Sequence, residues 1–266
     1  MLFLIYVQTR SLLTQCRHVT GHFIASFDQP YTPLTDATGI PARYNIPTPL
    51  GLDPSAYHML EVCHTLPLSR DVLELMSDIC RYSVDLRYWY SQFSHVEALD
   101  LQTQGTLLSY RLMSYLTTWE GAISAIEQTL CLCMLVFIVK CSDPVDQSFD
   151  PLHLTVIKKL SAAVTALGQQ AWDMAPELLM WIHVVAAISA RGACEETMFV
   201  RLAGSARRLL NVHGYDQFID YLRRCLWVDA RLGSGAEWLW SEMMSCLLYT
   251  YPSPRDRTRY RMPSSA

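Results

Sequence analysis

The thirteen residues from Leu178 to Ala190, LLMWIHVVAAISA, constrain this chain more than any other stretch. They are apolar nearly all round, so a helix made of them has no face to give to water. It must sit inside a larger helical body. Pro176 suits the first helical turn, where its missing N–H costs nothing, and Glu177 opposes the positive end of the helix dipole. Gly192 is placed to close the helix in a left-handed cap.

The pattern stays helical beyond it. Glu195 and Glu196 open a second helix, whose apolar residues Met198, Phe199, Leu202, Ala203, Ala206, Leu209 and Leu210 keep 3.6-residue spacing. Arg201, Arg207 and Arg208 fall mostly on its other face. Gly214 is expected to end this helix. Asp216 is placed to cap a third, carrying Phe218, Ile219, Leu222, Leu226 and Trp227. Ser234-Gly235 is expected to break the chain before a last segment with Trp238, Leu239 and Trp240.

Upstream, the chain divides at Pro67. Met1 to Val7 is apolar but too short to span a bilayer, and no basic residue precedes it as in a signal peptide. It reads as an internal helix or strand exposed by a mis-set start codon. Residues 8–52 hold Pro30, Pro33, Pro41, Pro47 and Pro49, with Pro54 just after. That density forbids a continuous helix, so residues 1–66 are expected to be an irregular segment or surface loop.

After Pro67, Ser69 is placed to cap a helix with Val72, Leu73, Met76, Ile79 and Cys80 on one side, continuing toward Leu86, Trp89 and Tyr90. The next runs from about Leu107 to Trp119. After Gly121 comes a longer one with Ile123, Ile126, Leu130, Cys133, Met134, Phe137 and Ile138. Its apolar core from Leu130 to Val139 is short of a membrane span and long enough for a buried central helix. Asp143-Pro144 ends it, and Asp150-Pro151 starts another with Leu154, Ile157, Leu160, Ala163, Val164 and Leu167 inward. No strand-length alternation and no fixed-period repeat interrupts this series. The spacing predicts an all-α domain over 67–245, an irregular array of roughly seven or eight helices.

The tail from Cys246 to Ala266, CLLYTYPSPRDRTRYRMPSSA, resembles a translated sequencing-library adapter, with Tyr251 and Tyr260 where serines usually stand. The alternative is a basic, proline-rich disordered tail. On either reading it stands outside the fold. It holds four arginines and one aspartate, which leaves 17 basic against 24 acidic side chains and a net charge of −7 for the rest. Gripping a phosphate backbone needs clustered Lys and Arg, so this body is poorly suited to holding DNA by itself. Apolar residues make up 51% of the 266 and charged residues 17%, enough for a substantial core. Nine irregularly spaced cysteines fit neither a disulfide framework nor a closed zinc site, and read as buried thiols in a reducing compartment.

Candidate chemistry is thin. Cys131, Cys133 and Cys141 invite comparison with metal ligands, but residues two apart on a helix point about 200° away from each other. His58, Cys63 and His64 lack a further Cys or His pair at finger-like spacing. The chain has no Gly-rich phosphate loop, no Gly-x-Ser-x-Gly elbow and no His-Glu-x-x-His. Its Ser, His and Asp residues name no triad by spacing alone. Trp172, Trp181, Trp227, Trp238 and Trp240 fit core positions better than a ligand pocket. Arg207-Arg208 and Arg223-Arg224 read as solvated helix faces, or as contacts for an acidic partner. No catalytic residue, cofactor-binding residue or metal ligand is expected in this chain, and no enzymatic activity.

The stretch from Pro176 to Trp240 also resembles the C-terminal half of the fungal-specific transcription factor domain, the helical regulatory module of fungal zinc binuclear-cluster regulators. Four features carry the likeness in order: the helix PELLMWIHVVAAISA, the segment MFVRL after a short polar turn, the block LRRCLW, and a final LW pair. Met198 stands where an aromatic is usual, and the glycine pair often seen in the first helix is absent. The resemblance implies a nuclear, non-DNA-contacting domain that regulates RNA polymerase II transcription. It would answer to a protein partner or small effector and have no membrane association. The six-cysteine zinc cluster is absent from this sequence. Zinc and DNA contact are therefore expected only in an N-terminal part upstream of Met1, and the chain as a fragment. The alternative reading is a helical scaffold or adaptor that binds another protein and has no promoter.

Overall fold

Asp53 opens the first helix by accepting the backbone N–H of Ala56 at 2.9 Å, and Pro54 follows at the first helical position. The structure, a computed structural model, describes residues 53–91, 98–119, 121–142, 151–168 and 170–249. Helix α1 spans Pro54–His64. The segment expected to be irregular over 1–66 therefore ends in a helix, while its part before residue 53 lies outside the described residues. Pro54 starts a helix rather than breaking one, because its missing N–H costs nothing in the first turn.

Helix α2, Arg70–Tyr90, is capped as expected by Ser69, whose hydroxyl accepts the Val72 N–H. Helix α3, Ala98–Thr118, begins well before the expected Leu107. Its extra turns include Gly105, where a Cβ would stand 2.5 Å from Tyr82 Oη and 2.7 Å from Ser142 Oγ. That close approach to the Tyr82–Ser142 hydrogen bond, 2.7 Å long, is open to glycine alone.

Helix α4, Ala125–Ser142, is the greasiest element. It is long and apolar enough to cross a membrane, and 67% of it is buried inside the helical body, as a central helix should be. Ser124 and Glu127 cap it reciprocally: Ser124 Oγ accepts the Glu127 N–H, and Glu127 Oε2 accepts the Ser124 N–H, both at 3.2 Å. Glu127 Oε1 also accepts the Ser69 N–H at 2.5 Å, so one carboxylate ties the starts of α2 and α4 together. Helix α5 spans Pro151–Leu167, and a short 3₁₀ turn at Gln170–Trp172 leads to the next helix.

Helix α6, Pro176–Ser189, is buried from Leu178 to Ile188. It packs against α4 and against the three helices that follow: α7 (Glu196–Leu209), α8 (Tyr215–Arg224) and α9 (Asp229–Tyr249). Gly192 takes a φ of +82° just past α6, the left-handed conformation expected of it. The indole N–H of Trp181 donates to the Leu226 carbonyl at 2.5 Å, fastening the loop after α8 onto α6. One continuous apolar core runs from α1 to α9. Among the described residues the fold is all-α, 82% helical, with nine helices and no strand.

Further boundaries differ from expectation, among them the cap of α8, which is Gly214 with Asp216 already inside the first turn. Asn211, at φ +53°, rather than Gly214, turns the chain after α7; Gly214 is extended and precedes α8. Leu226 and Trp227 lie beyond the end of α8, both buried. Ser234-Gly235 does not break the chain, because Gly235 sits inside α9 where that helix crosses α6. Helix α9 also enters the expected tail, and residues 250–266 lie outside the described residues.

Candidate functional site

The starts of α1 and α6 and the end of α8 meet at Glu177. One carboxylate oxygen faces His58 Nε2 at 2.9 Å, and the other accepts from Arg224 Nη1 at 3.2 Å. Glu177 thus opposes the dipole of its own helix while holding two others. The Arg224 guanidinium also lies 4.7 Å from the Tyr221 ring centre. Arg87 forms a second polar link to α1, with Nη2 2.5 Å from Asp53 Oδ2 and Nη1 donating to Ser55 Oγ at 3.0 Å. Burial would raise the Asp53 pKa, but the Ala56 N–H and the Arg87 guanidinium outweigh it and hold it below the usual value.

This junction pairs an imidazole with a carboxylate, yet it holds no nucleophile. Cys225, next to Arg224, is buried, and burial with the nearby Glu177 charge pushes its thiol far up. Burial likewise pushes Cys63 to about 12, and Cys80 upward. What the arrangement does is join helices.

The cysteines singled out in the sequence are core residues. Cys131, Cys133 and Cys141 are all buried; burial raises Cys131 and Cys141 to about 12, and Cys133 well above its ordinary value. Among the described residues, no group of three His, Cys, Asp or Glu side chains is placed to hold a metal ion. His58 is spent on Glu177, and His64 ends α1 with an exposed side chain.

The burial of several polar groups was not foreseen from the sequence, His183 and Arg207 among them. His183, 1% exposed at the middle of α6, makes no well-aligned hydrogen bond through either ring nitrogen, though the Leu202 backbone lies near enough to act on it. Burial lowers its pKa to about 4, outweighing the Leu202 backbone, which acts in the opposite sense, so the ring is neutral at pH 7. Arg207 is another. It was expected on the outer face of α7, but it follows Phe199 and Ala203 at four-residue steps and shares their inward stripe. Its position was legible; its charge obscured it.

The remaining arginines of the two pairs lie outside. Arg208 is exposed and donates to Ser205 Oγ, Arg223 makes a two-pronged pair with Asp229, and Arg224 holds Glu177. Trp172, Trp181 and Trp227 are buried in the core. Trp238 lies under Arg191, and Trp240 under Arg207 at 5.4 Å. Trp240 also meets Phe218 at 5.3 Å and Tyr215 at 6.0 Å. Compared with known proteins, the chain matches no family model, no curated protein and no solved structure.

Proposed function

We propose that this chain is the regulatory, non-DNA-contacting domain of a fungal nuclear regulator of RNA polymerase II transcription. It restrains or exposes an activation surface when a protein partner or a small effector binds. The likeness of four segments between Pro176 and Trp240 carries this reading. It is supported by the way those segments pack on one another: PELLMWIHVVAAISA is fastened to LRRCLW through Trp181 and Leu226, and the MFVRL helix reaches the final LW pair through Arg207 and Trp240. Separated in sequence, they form one unit, as a sensor module requires. The acidic balance of the body agrees with a domain that leaves DNA to another part of the protein.

Fusing the whole chain to an unrelated DNA-binding domain tests the proposal on a reporter promoter in fungal cells. The fusion is expected to raise or lower reporter output relative to the DNA-binding domain alone. A stably expressed fusion that leaves output unchanged would refute the reading and favour the adaptor. The unfused chain is expected to show no sequence-selective duplex binding at physiological salt.

A further inference from the structure

Side-chain hydroxyls on the helices of this chain repeatedly bond back to the carbonyl four residues earlier: Thr106 to Gln102, Thr129 to Ala125, Ser142 to Ile138 and Thr165 to Ser161, at 2.6–2.9 Å. Ser161 does otherwise. From α5 its hydroxyl reaches across to α7 and donates to the Met198 thioether, with Oγ 3.4 Å from Sδ. Thr165, one turn further along α5, brings Oγ1 to 3.7 Å from the same sulfur. A thioether is a weak acceptor, so Ser161 is aimed at a poor partner while its own helix offers carbonyls.

Met198 is also within reach of a small solute. Met59, Met76, Met113, Met134, Met180 and Met243 are buried, whereas Met198 is partly exposed and its contact with Thr165 lies at the surface. Among the described residues Met174 and Met244 are more exposed.

We propose that Met198 is a site of reversible oxidation to the sulfoxide, with Ser161 and Thr165 as the hydroxyls that receive the new oxygen. The oxidant is hydrogen peroxide. A sulfur lone pair attacks one peroxide oxygen; the O–O bond breaks, an S–O bond forms, and the second oxygen takes the first one's proton and leaves as water. Sulfur loses two electrons and the peroxide gains them. In the reverse step a sulfoxide reductase spends a dithiol, which becomes a disulfide while the oxygen leaves as water. The sulfoxide is a polar, strong acceptor where the thioether was a weak one, and the Ser161 hydroxyl already points at it. Oxidation thus tightens the link between α5 and α7. Helix α5 packs mainly on α4, so this link fastens its other side. The site does not rest on the transcriptional reading.

The test uses the full chain carrying Cys194→Ser, because Cys194 is exposed and shares the tryptic peptide Gly192–Arg201 with Met198. After hydrogen peroxide, peptide mass mapping is expected to find one added oxygen on Met198, with Met174 as the exposed standard and Met180 unmodified. Methionine sulfoxide reductases with a dithiol are expected to remove it from the folded chain. Ser161→Ala is expected to lower Tm by about 2–4 °C more in the oxidised chain than in the reduced one. Adding Met198→Leu, which keeps the apolar bulk without the sulfur, is expected to abolish that excess.

An unmodified Met198 in a folded chain whose Met174 is fully converted overturns the proposal. So does a sulfoxide that the reductases leave in place, an equal Tm loss from Ser161→Ala in both forms, or an excess that persists with Met198→Leu. Should Ser161→Ala not fold, hydrogen exchange along α5 decides: slower exchange on oxidation supports the proposal, and unchanged or faster exchange overturns it.

Discussion

Gly235 lets the backbone of α9 lie directly on Ile188 of α6: a Cβ at that glycine would stand 2.5 Å from Ile188 Cγ2 and 3.1 Å from Cγ1. Ile188 is β-branched and buried, so it has little freedom to turn away.

Gly235→Ala is therefore expected to destabilise the chain by about 1–3 kcal/mol through overpacking, more than alanine's better helix propensity returns. Gly233 sits in the same helix with nothing near its missing Cβ. Gly233→Ala is expected to stabilise by about 0.5–1 kcal/mol. Urea melts of the two variants check the contrast, and Ile188→Ala, which removes both γ carbons, should lessen the added cost of the first.

His183 makes stability depend on pH in a definite direction. Its pKa is about 4 in the folded chain against an ordinary 6.5, so the unfolded chain binds the extra proton between those values. Stability is then expected to be full above about pH 6.5 and to fall as pH drops toward 4, by up to roughly 3 kcal/mol from this group. His183→Leu should flatten that part of the pH profile, read as Tm against pH. An unchanged slope would remove His183 from the account.

The Glu127 carboxylate accepts three hydrogen bonds, two from Ser124 at the start of its own helix and one from the Ser69 N–H that ties α4 to the start of α2. Burial alone would raise its pKa, but the Ser69 and Ser124 N–H groups and hydroxyls prevail and hold it below the usual glutamate value. Its contribution is thus present above about pH 4.5 and lost as pH falls below that. Glu127→Ala strands two N–H donors and is expected to cost about 2–3 kcal/mol, measured by chemical denaturation at pH 7.

Thiol reactivity should divide sharply. Cys194 is exposed in the turn between α6 and α7, whereas Cys63, Cys80, Cys131, Cys133, Cys141 and Cys225 are buried. Under native conditions, alkylation mapped by mass spectrometry is expected to label Cys194 quickly and those six only after unfolding. Rapid labelling of Cys225 would contradict the packing at the end of α8.

The sequence by itself determined the all-α class, the buried α4 and α6, the Ser69 cap and the left-handed turn at Gly192. Each follows from local periodicity or from one residue's backbone preference, and neither needs a distant neighbour. Two local signals were present and unread: Asp53-Pro54 as the start of α1, and Ser124 with Glu127 as a capping box. Only the tertiary structure decided that α9 runs through Ser234-Gly235, because what makes a glycine useful there is Ile188, 47 positions away in the chain. It likewise decided that Glu177 holds His58 and Arg224, and that Arg207 lies buried with half its fork unused. A charged side chain's surroundings come from helices distant in sequence, and no spacing rule along one helix encodes whether they supply a partner.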